Sequence, residues 1–170
     1  MNKIKIFLTL TGYQMTWLAC VFGQNKLNQP FLGIYIGLLY LLIFFYFNKN
    51  KIKFLKLSLY ISIPGYIFDT FMVYFSIYEF NTSFIIGTIP SWMIILWLSF
   101  STLFDEILII FKKYKFVGIV LSAILGPLTY YLGEPIGIIS INHLSSFLIL
   151  MIIFWMLLMV YYLEFILRKN

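Results

Sequence analysis

The chain has 170 residues, of which 62% are hydrophobic and 21% aromatic, while only 11% are charged. Its mean hydropathy is +0.97. An ordinary globular domain is about 25% charged, so this composition excludes a typical soluble enzyme and a disordered chain. Cys20 is the single cysteine, which excludes an internal disulfide scaffold. The net charge of +6 would suggest nucleic acid in a soluble protein. Here the cations sit in short connectors, so they read as topology signals and lipid-headgroup contacts, and no nucleic-acid partner is expected.

A membrane-spanning helix needs about 20 mostly apolar residues. In chain order, the hydrophobic runs predict helices over about 4–22, 31–47, 55–78, 84–111, 116–132 and 147–167. The fourth is longer than a bilayer requires, so it either tilts or begins as an interfacial stretch before Pro90. No linker divides the chain, which predicts a single integral membrane domain. No internal repeat marks matching broken helices of the transporter kind. There is no phosphate-binding glycine loop, no nucleophile elbow and no metal-ligand spacing, so no metal and no cofactor are expected.

The connectors carry the test of this threading. Lys3 and Lys5 lie before the first helix. Lys49, Lys51, Lys53 and Lys56 follow the second. Lys112, Lys113 and Lys115 follow the fourth, and Arg168 and Lys169 end the chain. All fall on one side, and only Lys26 falls on the other. The positive-inside rule then predicts a six-helix transmembrane bundle with both termini cytoplasmic. The amino-terminal run up to Cys20 also looks somewhat like a lipoprotein signal peptide. Trp17 fits that pattern poorly, and cleavage would leave five spans, so a retained first helix is the preferred reading.

Polar residues inside the spans carry what functional signal there is. In the first helix, Thr9, Tyr13, Thr16 and Cys20 share a face, with Gln14 and Trp17 beside it. Gln14 is costly in lipid, so it is expected to turn inward, toward Asp69 or a ligand. Gly33 and Gly37 form a packing seam in the second helix. Asp69 lies about 20 Å along the third helix from Lys56 at ~1.5 Å per residue. An ionised Asp at that depth costs roughly 2.5–3.5 kcal/mol, so it should face the bundle. Ser58, Ser62, Gly65 and Ser76 extend its stripe, and Pro64 with Gly65 should kink or loosen the helix. Asp69 is either a proton carrier or ligand anchor, or a neutral side chain bonded to a neighbouring helix.

In the fourth helix, Thr88, Trp92, Ser99, Thr102 and Glu106 approximate one stripe, with Ser91, Ser101 and Asp105 alongside. Asp105 and Glu106 either pair with Lys112, Lys113 or other cytoplasmic cations, or line a polar cavity. Gly118, Ser122 and Gly126 recur every four residues, a small-residue seam for close helix approach. His143 falls in a loop and reads as solvated. Glu79 and Glu134 fall near the outer interface. Glu164 is expected to pair with Arg168. Trp155, Tyr161 and Tyr162 are expected to face lipid or the interface.

Three stretches carry a resemblance. They are Gln14-x-x-Trp17-x-x-Cys20-Val21-x-Gly23, Pro90-x-Trp92-x-x-x-Leu96-Trp97-x-x-Phe100 and Gly126-Pro127-x-x-Tyr130-x-x-Gly133. With Asp69, they are similar to a small bacterial inner-membrane family defined only as a domain of unknown function. The resemblance covers nearly the whole chain. It departs at Phe104-Asp105-Glu106, where relatives tend to carry Asn-His, and at Leu125, where a glycine is usual. It implies no established activity. Its gene neighbourhoods, often with lipid-modifying genes, imply a lipid-related role.

The sequence therefore predicts a multi-pass protein of the bacterial inner membrane, and leaves open whether it is an enzyme. The first functional reading is binding or modification of a lipid or apolar substrate in an intramembrane pocket. Its polar site would comprise Asp69, Gln14, Trp17, Trp92, Ser99 and Thr102. The alternatives are a small proton-coupled transporter using Asp69 and a non-catalytic assembly partner. Membrane lipids are the expected partners, with a second membrane protein or another copy of the chain as further possibilities.

Overall fold

The computed structural model describes residues 3–25, 27–82 and 85–167. The protein is mostly helical. Among the described residues the α-helices are α1 (Lys3–Asn25), α2 (Leu32–Phe47), α3 (Lys51–Tyr74), α4 (Ser91–Glu106), α5 (Lys115–Tyr131) and α6 (Leu144–Tyr161). A 3₁₀ turn, Leu108–Lys112, follows α4, and a π-helical turn, Tyr162–Ile166, follows α6. The region 3–23 is helical throughout. Two stretches, Lys5–Gly23 and Leu144–Ile166, are long and apolar enough to cross a membrane. Helices α2 and α5 are apolar but shorter.

Local chemistry explains where the helices depart from the hydrophobic runs. Helix α3 starts four residues early because Asn50 caps it, its side chain accepting from the Lys53 N–H at 3.1 Å. It ends at Tyr74, not 78. The Ile77 N–H reaches back to the Met72 carbonyl and the Ser76 N–H to that of Val73, both at 2.9 Å. That is a Schellman closure with Ser76 in the left-handed region at φ +53°. Apolar periodicity cannot reveal this stop, since the residues beyond it stay apolar. Pro64 does not interrupt α3.

The long fourth run is not one helix. Pro90 caps α4, and the residues before it form a hairpin, β2 (Ile85–Ile86) with β3 (Ile89–Pro90). Its two-residue turn places Gly87 at φ +71°, as a glycine-first hairpin turn requires. A second antiparallel ribbon pairs β1 (Tyr78–Phe80) with β4 (Ile139–Ile141). It joins the connector after α3 to the connector before α6. Asn81 and Asn142 brace it by bonding the Gly137 and Ser76 carbonyls.

Helix α4 is the central column, packing on α1, α2 and α3. Its Ile95 lies over Gly37, where a Cβ would come within 2.2 Å of Ile95 and 2.8 Å of Thr16. At Gly33, a Cβ would sit 2.6 Å from the Cys20 Cα. Backbones of α1 and α2 touch there, as small residues allow. Helices α5 and α6 form their own pair. Ser122 donates to the Trp155 carbonyl at 3.1 Å, and Gly126 lies against the Trp155 indole. Gly118 instead accommodates Phe111 of the 3₁₀ turn.

Candidate functional site

Asp69 is fully buried on α3. Three donors from three other elements converge on it. Tyr78 of β1 donates its Oη to Oδ1 at 2.6 Å, and Tyr130 of α5 donates to the same oxygen at 2.8 Å. Trp97 of α4 donates Nε1 to Oδ2 at 2.6 Å. A carboxylate is an acceptor-only group with about four lone-pair sites, so these three donors satisfy most of it. Bonds of this kind are among the strong ones where the acceptor is ionised. The indole approaches because residue 65 is glycine: a Cβ there would sit 2.4 Å from the Trp97 ring.

Two members of this cage, Trp97 and Tyr130, also line a cleft of about 400 Å³. The cleft lies between α1 and α4 on one side and α5 and α6 on the other. Leu96, Phe100, Phe104, Leu121, Leu125 and Met159 are among its walls. All four tryptophans of the chain, Trp17, Trp92, Trp97 and Trp155, contribute to it. Trp97 stacks on Trp155 with ring centroids 5.6 Å apart and planes 21° apart. The cleft runs from Ile138 and Ile139 beside the β1–β4 ribbon to Ile110 and Phe111 beside the lysine-bearing turn.

The predicted site residues separate into three groups. Asp69 stands at the cage, and Trp17 and Trp92 stand on the cleft wall. Ser99 and Thr102 are fully buried but do not line the cleft. Thr102 shares a 2.7 Å hydrogen bond with Tyr40 of α2, and the Ser99 hydroxyl has no partner among the described residues. Gln14 is exposed and does not join Asp69. It lies two residues, about 200° of helical rotation, from buried Thr16, so an inward Gln14 would turn the buried face of α1 outward.

Other expectations are corrected as well. Trp155 and Tyr162 are buried instead of lipid-facing. Trp155 stacks on Trp97, and Tyr162 donates to the Phe104 carbonyl at 2.5 Å, so both serve helix packing. Ser76 leaves the Asp69 stripe because α3 has already ended. Glu106 pairs with Lys5, and Asp105 accepts from Asn48 at 2.8 Å. Glu106 thus pairs with one of the other basic residues, Lys5 of α1, as one of the expected readings had it, whereas Asp105 is held by the amide of Asn48 at the end of α2; neither meets Lys112 or Lys113. Glu164 pairs with Lys115. Its expected partner Arg168, like Lys26 and Lys169, lies outside the described residues. His143 is exposed at the start of α6, and Glu79 and Glu134 are exposed at the ribbon.

Tyr78 was missed by sequence reasoning. It sits nine residues after Asp69 in a run that reads as continuous helix, where it would lie on a different face. Only the chain reversal at Ser76 returns its hydroxyl to the acid. Trp97 and Tyr130 were within reach, because both lie in the stretches that, with Asp69, carry the resemblance stated above. Among the described residues, no three His, Cys, Asp or Glu side chains gather into a metal-binding group.

No curated protein matches this chain, and no solved structure does. The chain belongs to the family described as a protein of unknown function, DUF2878, whose model matches residues 6–161.

Proposed function

We propose that this protein is a six-span membrane protein of the bacterial inner membrane, with both termini cytoplasmic, that binds a lipid or similar apolar ligand in the cleft. The observation that carries this reading is the cleft itself. It has a volume within the usual range of about 300–1,000 Å³ for ligand sites, and its walls are almost wholly apolar and aromatic. Asp69 does not face the ligand directly. It fixes Trp97 and Tyr130, so its role is to position the wall that the ligand touches. The six-span threading rests on the lysine distribution and on the helices at all six predicted positions.

The proton-carrier reading is less well supported by the geometry. Asp69 is enclosed by three donors and has no exposed surface, whereas a carrier needs alternating access to water.

The test is lipid mass spectrometry on the purified protein, beside a variant in which Leu121 and Leu125 are both replaced by Phe. These residues line the cleft and are part-exposed, so the larger rings fill it without entering a closed core. Co-purifying lipid retained by the native chain and lost from Leu121→Phe/Leu125→Phe is the expected result. Equal lipid on both would exclude the cleft as the binding site.

A further inference from the structure

The two mouths of the cleft differ in charge. At the ribbon end, lining residues Phe80 and Gly133 adjoin exposed Glu79 and Glu134. At the other end, lining residue Phe111 is followed directly by Lys112 and Lys113, both exposed. Near that second mouth Glu106 is ion-paired with Lys5 and Glu164 with Lys115, and Asp105 accepts from Asn48. Among the described residues, Glu79 and Glu134 at the ribbon end accept only from neutral donors, the Asn142 amide and the Ile141 N–H. Lys112 and Lys113 make no ion pair with a described residue, and Lys113 lies 5.4 Å from the Tyr114 ring centroid.

From this asymmetry we infer that the occupant is an anionic lipid, its chain in the apolar cleft and its charged head at Lys112 and Lys113. The inference rests on the cleft-binding reading above and adds the ligand's charge and orientation. A lysine pair at a membrane surface attracts anionic headgroups, and the Glu79 and Glu134 mouth repels them. A reversed orientation would place like charges together. The long apolar path between the mouths suits an acyl chain and offers no charged group to a head placed midway.

The tryptophans supply the test, since all four line the cleft. Full-length protein in neutral detergent is titrated with phosphatidylglycerol or phosphatidylcholine carrying brominated acyl chains, and tryptophan quenching is recorded. Phosphatidylglycerol should quench at a mole fraction about fivefold or more below phosphatidylcholine. In Lys112→Gln/Lys113→Gln, that preference should disappear while phosphatidylcholine quenching stays unchanged. In Lys51→Gln/Lys53→Gln, at the start of α3 away from the cleft lining, the preference should persist. Equal quenching by the two lipids in the native chain would overturn the charge assignment but leave cleft binding in place. The same holds if the preference survives in Lys112→Gln/Lys113→Gln. Quenching that is identical in the native chain and in Leu121→Phe/Leu125→Phe would overturn the cleft reading, and the charge assignment with it.

Discussion

Two of the polar clusters among the described residues of this largely apolar protein bond different parts of it. Near the lysine-bearing end, Lys5 with Glu106, Asn48 with Asp105 and Tyr40 with Thr102 tie α1 and the α2 region to α4. All these partners stand on one side of the cleft. The Asp69 cage instead draws on α3, β1, α4 and α5, so it crosses from one wall to the other. The first cluster joins the helices of one wall to each other. The second joins the two walls. A buried polar group in the cage therefore bears on cleft geometry as well as on stability, while the Tyr40 cluster bears on stability alone.

The largest expected effect comes from removing the acid that joins the walls. Asp69→Ala leaves the buried donors of Tyr78 and Trp97 and the half-buried hydroxyl of Tyr130 unsatisfied, each buried one costing about 1–3 kcal/mol. The variant should lose about 3 kcal/mol or more of stability, read as a lower thermal midpoint in detergent. Asp69→Asn retains the shape and one acceptor oxygen and should lose less. Comparable midpoints for Asp69→Ala and the native protein would show that the cage holds nothing together.

A matched pair of smaller changes sharpens the contrast. Tyr130→Phe and Tyr40→Phe each delete one hydroxyl, and each should cost about 0.6–1.7 kcal/mol, the range for interhelical bonds in membranes. Only Tyr130→Phe should also weaken lipid binding, since Tyr130 lines the cleft and Tyr40 does not. Equal loss of bound lipid in the two variants, measured by mass spectrometry, would erase the distinction between the clusters. The smallest effect is a gain. Ser76→Gly relieves a left-handed backbone at the turn that returns Tyr78 to Asp69, and should stabilise by about 1 kcal/mol. A lowered thermal midpoint would mean the Ser76 conformation is not strained.

How legible the site was depended on the range of the contact. The Gly33 and Gly37 seam could be read because small residues at helical spacing have few other uses in an apolar helix. The burial of Asp69 could be read because a carboxylate in an apolar run must face away from lipid. Its partners could not be chosen from Gln14, Trp97 or Tyr130 by composition, since all three are able to donate. Gln14 was the nearer guess on chemistry and was wrong on geometry, because Thr9, Thr16 and Cys20 fix which face of α1 is buried.

The sequence by itself determined the helical class, the approximate positions of six helices though not all their ends, and the lysine asymmetry among the connectors. These follow from the cost of exposing apolar surface and from charge counts in short connectors, both of which are local properties. Tertiary structure alone decided that Tyr78, Trp97 and Tyr130 meet at Asp69, that Trp155 turns inward, and that a cleft remains between two helix groups. Those outcomes depend on where chain reversals such as Ser76 fall and on how closely glycine lets a ring approach, and neither is encoded in hydrophobic period.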